Sequence, residues 1–356
     1  MPEVDGPVAL RDHTTLRLGG PAARWVRAET EDEVVSAVRA CDDAGEPVLV
    51  LGGGSNLVVA DTGFPGTVVE VATRGVRPDE ADDADPACGG VLVRVAAGES
   101  WDAFVSRAVA GGWVGVEALT GIPGSVGATP IQNVGAYGQE VSQTIAAVRT
   151  WDRETAAVRT FAAAECGFGY RDSRFKAERR GAGSRFVVLE VTFQLRRGTL
   201  GAPIAYAELA RTLGVGPGER APLGDVAAAV RGLRARKGMV LDDADHDTWS
   251  AGSFFTNPIL DAAAAERLPD DAPRWDHPDG RVKTSAAWLI ERAGFGRGHG
   301  GPAVSLSTKH TLALTNRGEA RTADLIALAA EVRDGVRDRF GVTLEPEPVL
   351  VGCALP

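Results

Sequence analysis

The apolar positions of the chain change period several times, and each change predicts an element. Val34, Val38 and Cys41 recur at helical spacing. Thr30 stands ahead of them with Glu33 three residues on, the order of a capping box, and Gly45 follows as a stop. The apolar pair Trp25-Val26 before this helix and the buried run Pro47-Val-Leu-Val-Leu51 after it make the opening unit βαβ-like. Further strands are predicted at 57–59, 68–71, 91–96, 145–151, 157–161, 186–195 and 349–351. Ser100 caps a helix with Phe104, Val105, Ala108 and Val109 on one face, ended by Gly111-Gly112. The clearest helix runs from 322 to 340, with Leu325, Ala329, Val332, Val336 and Phe340 in register and Gly341 as its stop. Shorter helices are predicted around 206–213, 225–236 and 286–293. The acidic, aperiodic stretch 78–90 reads as a surface hairpin or loop at a lobe boundary, 196–203 as a linker and 268–280 as a loop. The mixture is α+β in at least two lobes.

Length and composition narrow the class. A chain of 356 residues is expected to form two or three lobes. Hydrophobic residues at 44% and charged residues at 24% are globular proportions. The net charge of −10 argues against non-specific binding to nucleic acid or to an anionic membrane. No apolar run approaches the roughly 20 residues of a membrane span. The start, MPEVDGPVALRDH, carries an early acid and no apolar core, so it does not read as a secretory signal and a cytoplasmic location is expected. Cys41, Cys88, Cys166 and Cys353 are scattered without a CxxC pair, which predicts reduced, small hydrophobic side chains and no metal site.

Glycine is in excess, 44 residues, and part of that excess lies in two loops. Gly52-Gly53-Gly54-Ser55-Asn56 follows a strand. A dinucleotide fingerprint would need a helix next, whereas Leu57-Val-Val59 is strand-like, so the run reads as a nest of backbone N–H groups able to cradle phosphate. The second loop, Gly121-Ile-Pro-Gly-Ser-Val-Gly127, continues through Ala128 and Pro130 to Tyr137-Gly138, with Ser125, Thr129, Gln132 and Asn133 as hydrogen-bonding partners. Two such loops in one half of the chain point to a large phosphate-bearing cofactor.

Three polar features stand apart. Gly167-Phe-Gly-Tyr-Arg-Asp-Ser173 sets Tyr170 beside Arg171, whose fork is suited to a carboxylate or phosphate; a surface salt bridge is the plainer reading. Ser253 lies between Gly252 and the pair Phe254-Phe255, where a hydroxyl can deliver a proton away from water; a buried serine bonded to backbone is the plainer reading. Glu345 and Glu347 are bracketed by Pro346 and Pro348, and either could serve as an acid or a charge partner, or both could lie in a solvated turn.

Taken in order, these segments resemble the UDP-N-acetylenolpyruvoylglucosamine reductase family. The resemblance is carried by Thr15-Leu-Arg-Leu-Gly-Gly20, Leu51-Gly-Gly-Gly-Ser-Asn-Leu57, Gly121-Ile-Pro-Gly-Ser-Val-Gly127, Pro130-Ile-Gln-Asn-Val-Gly-Ala-Tyr-Gly138, Phe168-Gly-Tyr-Arg-Asp-Ser173, Ala251-Gly-Ser-Phe-Phe-Thr-Asn-Pro258 and Leu344-Glu-Pro-Glu347. Thr256 and Pro348 depart from the family's usual residues. The resemblance implies a two-lobed FAD-binding domain of the vanillyl-alcohol-oxidase (PCMH) type, lobes 1–75 and 76–201, and an α+β substrate-binding domain, 202–356, whose last segment returns to the active-site cleft. It implies NADPH as reductant, FAD as hydride carrier and a UDP-sugar enolpyruvyl ether as substrate.

By the same resemblance, Arg171 clamps the substrate carboxylate, Ser253 donates the proton and Glu347 stabilises the enolate. Gly52, Gly53, Gly54, Ser55, Asn56, Leu57, Gly121, Ile122, Pro123, Gly124, Ser125, Gly127, Ala128, Gln132, Asn133, Gly135, Ala136 and Tyr137 are implied FAD contacts. Tyr170, Tyr206, Lys237 and Asn257 are implied substrate contacts, with Tyr206 marking the subclass that has a tyrosine-bearing loop. No metal, nucleic-acid partner or membrane insertion is expected, and a monomer is. The competing readings are an FAD-dependent sugar or alcohol oxidase of the same fold and a non-catalytic UDP-sugar-binding protein.

Overall fold

Helix Glu31–Ala44 begins as its capping box requires: the Thr30 hydroxyl accepts from the Glu33 N–H, and the chain leaves the helix at Gly45 with φ 68°. The computed structural model to which it belongs describes residues 8–79, 90–180 and 183–356. These fall into two units. One gathers Ala22–Gly53 and Pro65–Arg236, the other Ala9–Pro21, Gly54–Phe64 and Lys237–Pro356. The predicted hairpin 78–90 and Cys88 lie almost wholly outside the described residues.

The first unit contains two main sheets. The smaller sets Phe64–Val71 between Ala22–Ala28 and Val48–Leu51, the last two strands of that order running parallel. The larger runs Ala157–Ala162, Ile145–Asp152, Phe186–Arg197, Gly90–Ala96, Val76–Pro78, antiparallel throughout. Phe186–Arg197 is buried on both faces in its first half, so its sequence there is a continuous apolar run. Helix Trp101–Ala110, capped by Ser100, packs on this sheet and stacks Phe104 on Phe193 with ring centroids 4.9 Å apart. Full burial of each such ring contributes roughly 1.5–3 kcal/mol.

Polar ties add direction to this apolar core. The buried Arg153 forks onto Asp42 at 2.7 and 3.0 Å, and Arg149 pairs with Glu31, so helix Glu31–Ala44 is fixed to the larger sheet at both ends. Helices Ala207–Leu213 and Leu223–Arg236 complete the unit, burying Leu209, Val226, Val230 and Leu233 with Ala118 and Ile204. The linker expected at 196–203 is partly structured: the long strand reaches Arg197, and Leu200 pairs with Pro222.

The second unit is built on helix Thr322–Phe340, which buries Leu325, Leu328, Ala329, Val332 and Val336 with Leu289, Ile290, Phe254 and Phe255. Arg321 occupies the N-cap position and offers no side-chain cap. The Asp61 carboxylate takes that role from far along the chain, accepting from the N–H groups of Thr322 at 2.7 Å and Ala323 at 3.1 Å. Leu57–Val59 pairs in parallel with Val349–Val351. The loop predicted at 268–280 holds a strand, Arg274–Asp276, paired with Val282–Thr284; all three residues are exposed, so no alternation marked it. Among the described residues no helix is long and apolar enough to cross a membrane, and Cys41, Cys166 and Cys353 are free thiols.

Asp152, 1% exposed at the end of its strand, takes a two-point hydrogen bond from Arg185 at 2.8 and 2.7 Å and another from the Glu154 N–H. These bonds, the Arg185 pair first, hold its pKa down at about 2. A carboxyl depressed in the folded state stabilises the fold above its unfolded pKa, and that contribution disappears as pH falls through the folded value. Asp152→Asn is expected to lower unfolding free energy at pH 7 by on the order of 2 kcal/mol. The deficit should shrink between pH 4 and about 2. Urea unfolding at both ends of that window checks it; a pH-independent deficit would place the cause in packing.

Candidate active site

In the first unit the two glycine loops meet backbone to backbone. A Cβ built on Gly53 would lie 2.6 Å from Gly124 Cα and 3.2 Å from the Ser125 nitrogen; one on Gly52 would lie 2.3 Å from the Ser125 hydroxyl. Gly127 is pressed equally hard on Ala97, at 2.5 Å from its Cβ. At Gly53 and Gly127 the obstacles are fixed atoms, so no side chain fits, and Gly53 remains exposed on its other side. The loop 121–128 is held from behind. Trp101 N–H donates to Gly124 O, Val126 N–H to Glu99 O and Gly127 N–H to Ala97 O, at 2.8–3.0 Å. Gly121 N–H donates to Asp102 at 2.6 Å, and Arg231 donates to both oxygens of the same carboxylate at 2.6 and 2.7 Å. Burial would raise the Asp102 pKa, but these bonds hold it below the ordinary value.

Such a bare-backbone cradle fits a diphosphate, which needs close approach and N–H donors. Ile122, Pro123, Ala128 and Gln132 border it half-buried, whereas Ser125 is buried.

The loop then turns back on itself. Gly135-Ala136 pairs with Gln139-Glu140, and Tyr137 and Gly138 form the two-residue turn with φ 49° and 85°. Both angles are left-handed, as a tight hairpin of right-twisted strands requires. Tyr137 meets Tyr206 edge-on, ring centroids 5.2 Å apart. Arg234 lies near Tyr137, and desolvation pushes its pKa down to about 10.

Arg171 comes to the same place. Its guanidinium donates to Gly135 O at 2.8 Å and lies over the Tyr170 ring, 5.3 Å from the centroid. Asn133, Tyr137 and Arg171 are three of the five non-glycine residues with positive φ among the described residues. Strained backbone of this kind gathers at functional positions.

In the second unit, Gly54 is packed on His13: its Cβ would overlap the His13 carbonyl. Asn56 donates to Glu347 O at 3.3 Å and its carbonyl accepts from Val349 N–H, while Ser55 and Leu57 are half-buried. Glu347 N–H donates to Phe254 O at 2.8 Å and Thr256 N–H to Glu345 O at 3.0 Å, so the C-terminal acids run alongside the segment that carries Ser253. Glu345 is exposed and Glu347 half-buried. Ser253 is half-buried, and among the described residues its hydroxyl has no hydrogen-bond partner, unlike a core serine tied to backbone. Asn257 accepts from Ala286 N–H at 2.9 Å, so its carbonyl supports the start of helix Ala286–Arg292. Lys237 follows helix Leu223–Arg236 directly and is half-buried.

The structure thus groups the first-unit residues Gly52, Gly53, Gly121–Tyr137, Tyr170, Arg171 and Tyr206, and in the second unit Asn56, Ser253 and Glu347. Sequence reasoning passed over Asp102, Arg231 and Arg234. An acid in the first turn of a capped helix reads as ordinary dipole compensation, and two arginines on a helix read as its solvated face.

Comparison with known proteins places these elements. A family model described as UDP-N-acetylenolpyruvoylglucosamine reductase, C-terminal domain, matches residues 243–351, and one described as an FAD binding domain matches residues 22–160. The UDP-N-acetylenolpyruvoylglucosamine reductase of Salinispora arenicola is 57% identical, over 99% of this chain and 96% of its own length. That of Thermobifida fusca is also 57% identical, over 98% of each chain. The crystal structure of the Thermus caldophilus reductase superposes with a TM-score of 0.63 at 27% identity, covering 97% of this chain and 98% of that one.

Gly53→Ala is expected to force the two loops apart, because the obstructing atoms are backbone. Overpacking of this kind should weaken FAD binding roughly ten- to a hundredfold. Titration followed by flavin fluorescence measures it; unchanged affinity would mean that the contact does not shape the cofactor site.

Proposed function

Because the chain belongs to the UDP-N-acetylenolpyruvoylglucosamine reductase family, we propose that it reduces the enolpyruvyl ether of UDP-N-acetylglucosamine to UDP-N-acetylmuramate, with NADPH as reductant. FAD, when bound, supplies the hydride transfer. Its contacts would be Gly52, Gly53, Gly54, Ser55, Asn56 and Leu57 together with Gly121, Ile122, Pro123, Gly124, Ser125, Gly127, Ala128, Gln132, Gly135, Ala136 and Tyr137, whereas the buried Asn133 is bonded to Glu140 and Gly169 instead. The observation that carries the reading is the bond from Arg171 to Gly135 O, which fastens a guanidinium to the cofactor loop itself.

Hydride addition to the terminal carbon of the enolpyruvyl group leaves negative charge shared with the carboxylate. Arg171 binds that carboxylate, and its fixed charge is worth more to the enolate than to the ground state. Ser253 delivers the proton to the neighbouring carbon; its unengaged hydroxyl supports that role. Glu347 assists from the adjoining segment, and the exposure of Glu345 supports this choice between the two acids. Tyr170, Tyr206, Lys237 and Asn257 bind the UDP-sugar. The contact of Tyr206 with Tyr137 supports a tyrosine-bearing loop beside the cofactor loop.

The purified protein is expected to be yellow, to be bleached by NADPH without oxygen, and to regain colour when the enolpyruvyl substrate is added. A preparation that takes up no FAD would overturn the reading. Ser253→Ala should be reduced at the wild-type rate yet reoxidise at least on the order of a hundredfold more slowly. Stopped-flow absorbance of the two half-reactions distinguishes this from a general loss of fold.

A further inference from the structure

Asn133 lies in the cofactor loop, yet its side chain is turned into the protein. The residue is 1% exposed. Its Nδ2 donates to Glu140 Oε2 at 2.8 Å and to Gly169 O at 2.9 Å, and its Oδ1 accepts from Ser142 N–H at 3.1 Å. Two acceptors face one end of the amide and a donor faces the other, so the chemistry of the neighbours decides which end is nitrogen. Three of the amide's four hydrogen-bonding capacities are occupied, and none points to solvent.

Gly169 is the first residue of the turn that presents Arg171. Gly169 and Asp172 exchange backbone hydrogen bonds at 3.0 and 3.4 Å, which leaves Tyr170 and Arg171 as the two central residues. Arg171 has φ 54° there, a position that favours glycine or asparagine. An arginine in that conformation stays only if its surroundings over-determine it. The surroundings include Asn133 to Gly169 O, Arg171 to Gly135 O at 2.8 Å, and Lys176 Nζ to Arg171 O at 2.8 Å. The first two come from one nine-residue stretch, Pro130 to Gly138. Aspartate would not replace Asn133, because it would set a second carboxylate against Glu140 and leave Gly169 O with only the longer bond from Asp172 N–H.

We propose that Asn133 is a positioning residue, whose side chain holds the Tyr170-Arg171 turn so that the guanidinium meets the substrate carboxylate. This rests on the function proposed above. Asn133→Gly tests it, since glycine accepts φ 45° without strain and removes the amide.

In the holoprotein, FAD content and the rate of reduction by NADPH should be unchanged, while reoxidation by the enolpyruvyl substrate slows roughly tenfold to a hundredfold. Calorimetry should show weaker binding of UDP-N-acetylmuramate, which carries the carboxylate, and unchanged binding of UDP-N-acetylglucosamine, which lacks it. On an Arg171→Lys background the same change should add little. Wild-type reoxidation, equal slowing of both half-reactions, loss of FAD, or equal weakening of both ligands would each overturn the proposal. Should Asn133→Gly not fold, Asn133→Ser, too short to span Glu140 and Gly169, is read the same way. Failure of the wild-type protein to reoxidise with substrate would instead overturn the parent reading, and the ligand comparison would then show no carboxylate preference to lose.

Discussion

A backbone can press its Cα directly against another stretch of backbone only where its own side chain is missing, and the first unit depends on one such contact. Gly52 and Gly53 end a strand; Gly124 and Ser125 lie in a loop some seventy residues on, and the two sets are within a methyl group of overlap. The rest of the unit is arranged to make that approach sustainable. Helix Trp101–Ala110 receives Gly124 O on the Trp101 N–H and Gly121 N–H on Asp102, so the loop is held by one helix N-terminus through both a donor and an acceptor. Asp102 is itself fixed by Arg231 from helix Leu223–Arg236. A displacement of either helix would be felt at the cradle, because close-packed backbone has no rotamer to adjust.

The strain at Asn133, Tyr137 and Arg171 follows from the same constraint. A chain that must pass from the cradle to a hairpin and back within a few residues has few allowed angles to use. Left-handed non-glycine residues cost on the order of 1–3 kcal/mol each. At Tyr137 the hairpin and the Tyr206 ring hold the angle; at Arg171 its own bond to Gly135 O and the bond from Asn133 to Gly169 O do. Strain placed this way excludes alternatives: if the polar anchors are lost, the turn relaxes and the guanidinium moves with it.

Much of this was legible before any coordinates. Helices Glu31–Ala44, Trp101–Ala110 and Thr322–Phe340 stand where caps, glycine stops and 3.6-residue stripes put them. Those signals are local, and so is their physics. What was hidden is what the chain assembles across distance. Glycine runs at 52 and 124 announce freedom of backbone, not that the two runs touch. Asp61 as the cap of a helix at 322, and Leu57–Val59 as the partner of Val349–Val351, have no local mark. Asn133 misled in a different way. It stands in a motif that mixes core contacts such as Ile131 and Val134 with polar residues, and only the three bonds of its amide reveal where its side chain goes.

Net charge misleads for a related reason. A total of −10 describes the surface as a whole, and a site senses only what lies within about a Debye length, roughly 8–10 Å. Arg231 and Arg234 sit three residues apart on one helix and so share a face. Arg231 is neutralised by Asp102. Arg234 is desolvated, which pushes its pKa down to about 10 against the opposing pull of Tyr137 and Asp102. A cation in poorly solvated surroundings acts on nearby anions through a lower effective dielectric than one in water. Two guanidinium groups on one helix, with Asp102 beside them, are a local arrangement that a total of −10 does not describe.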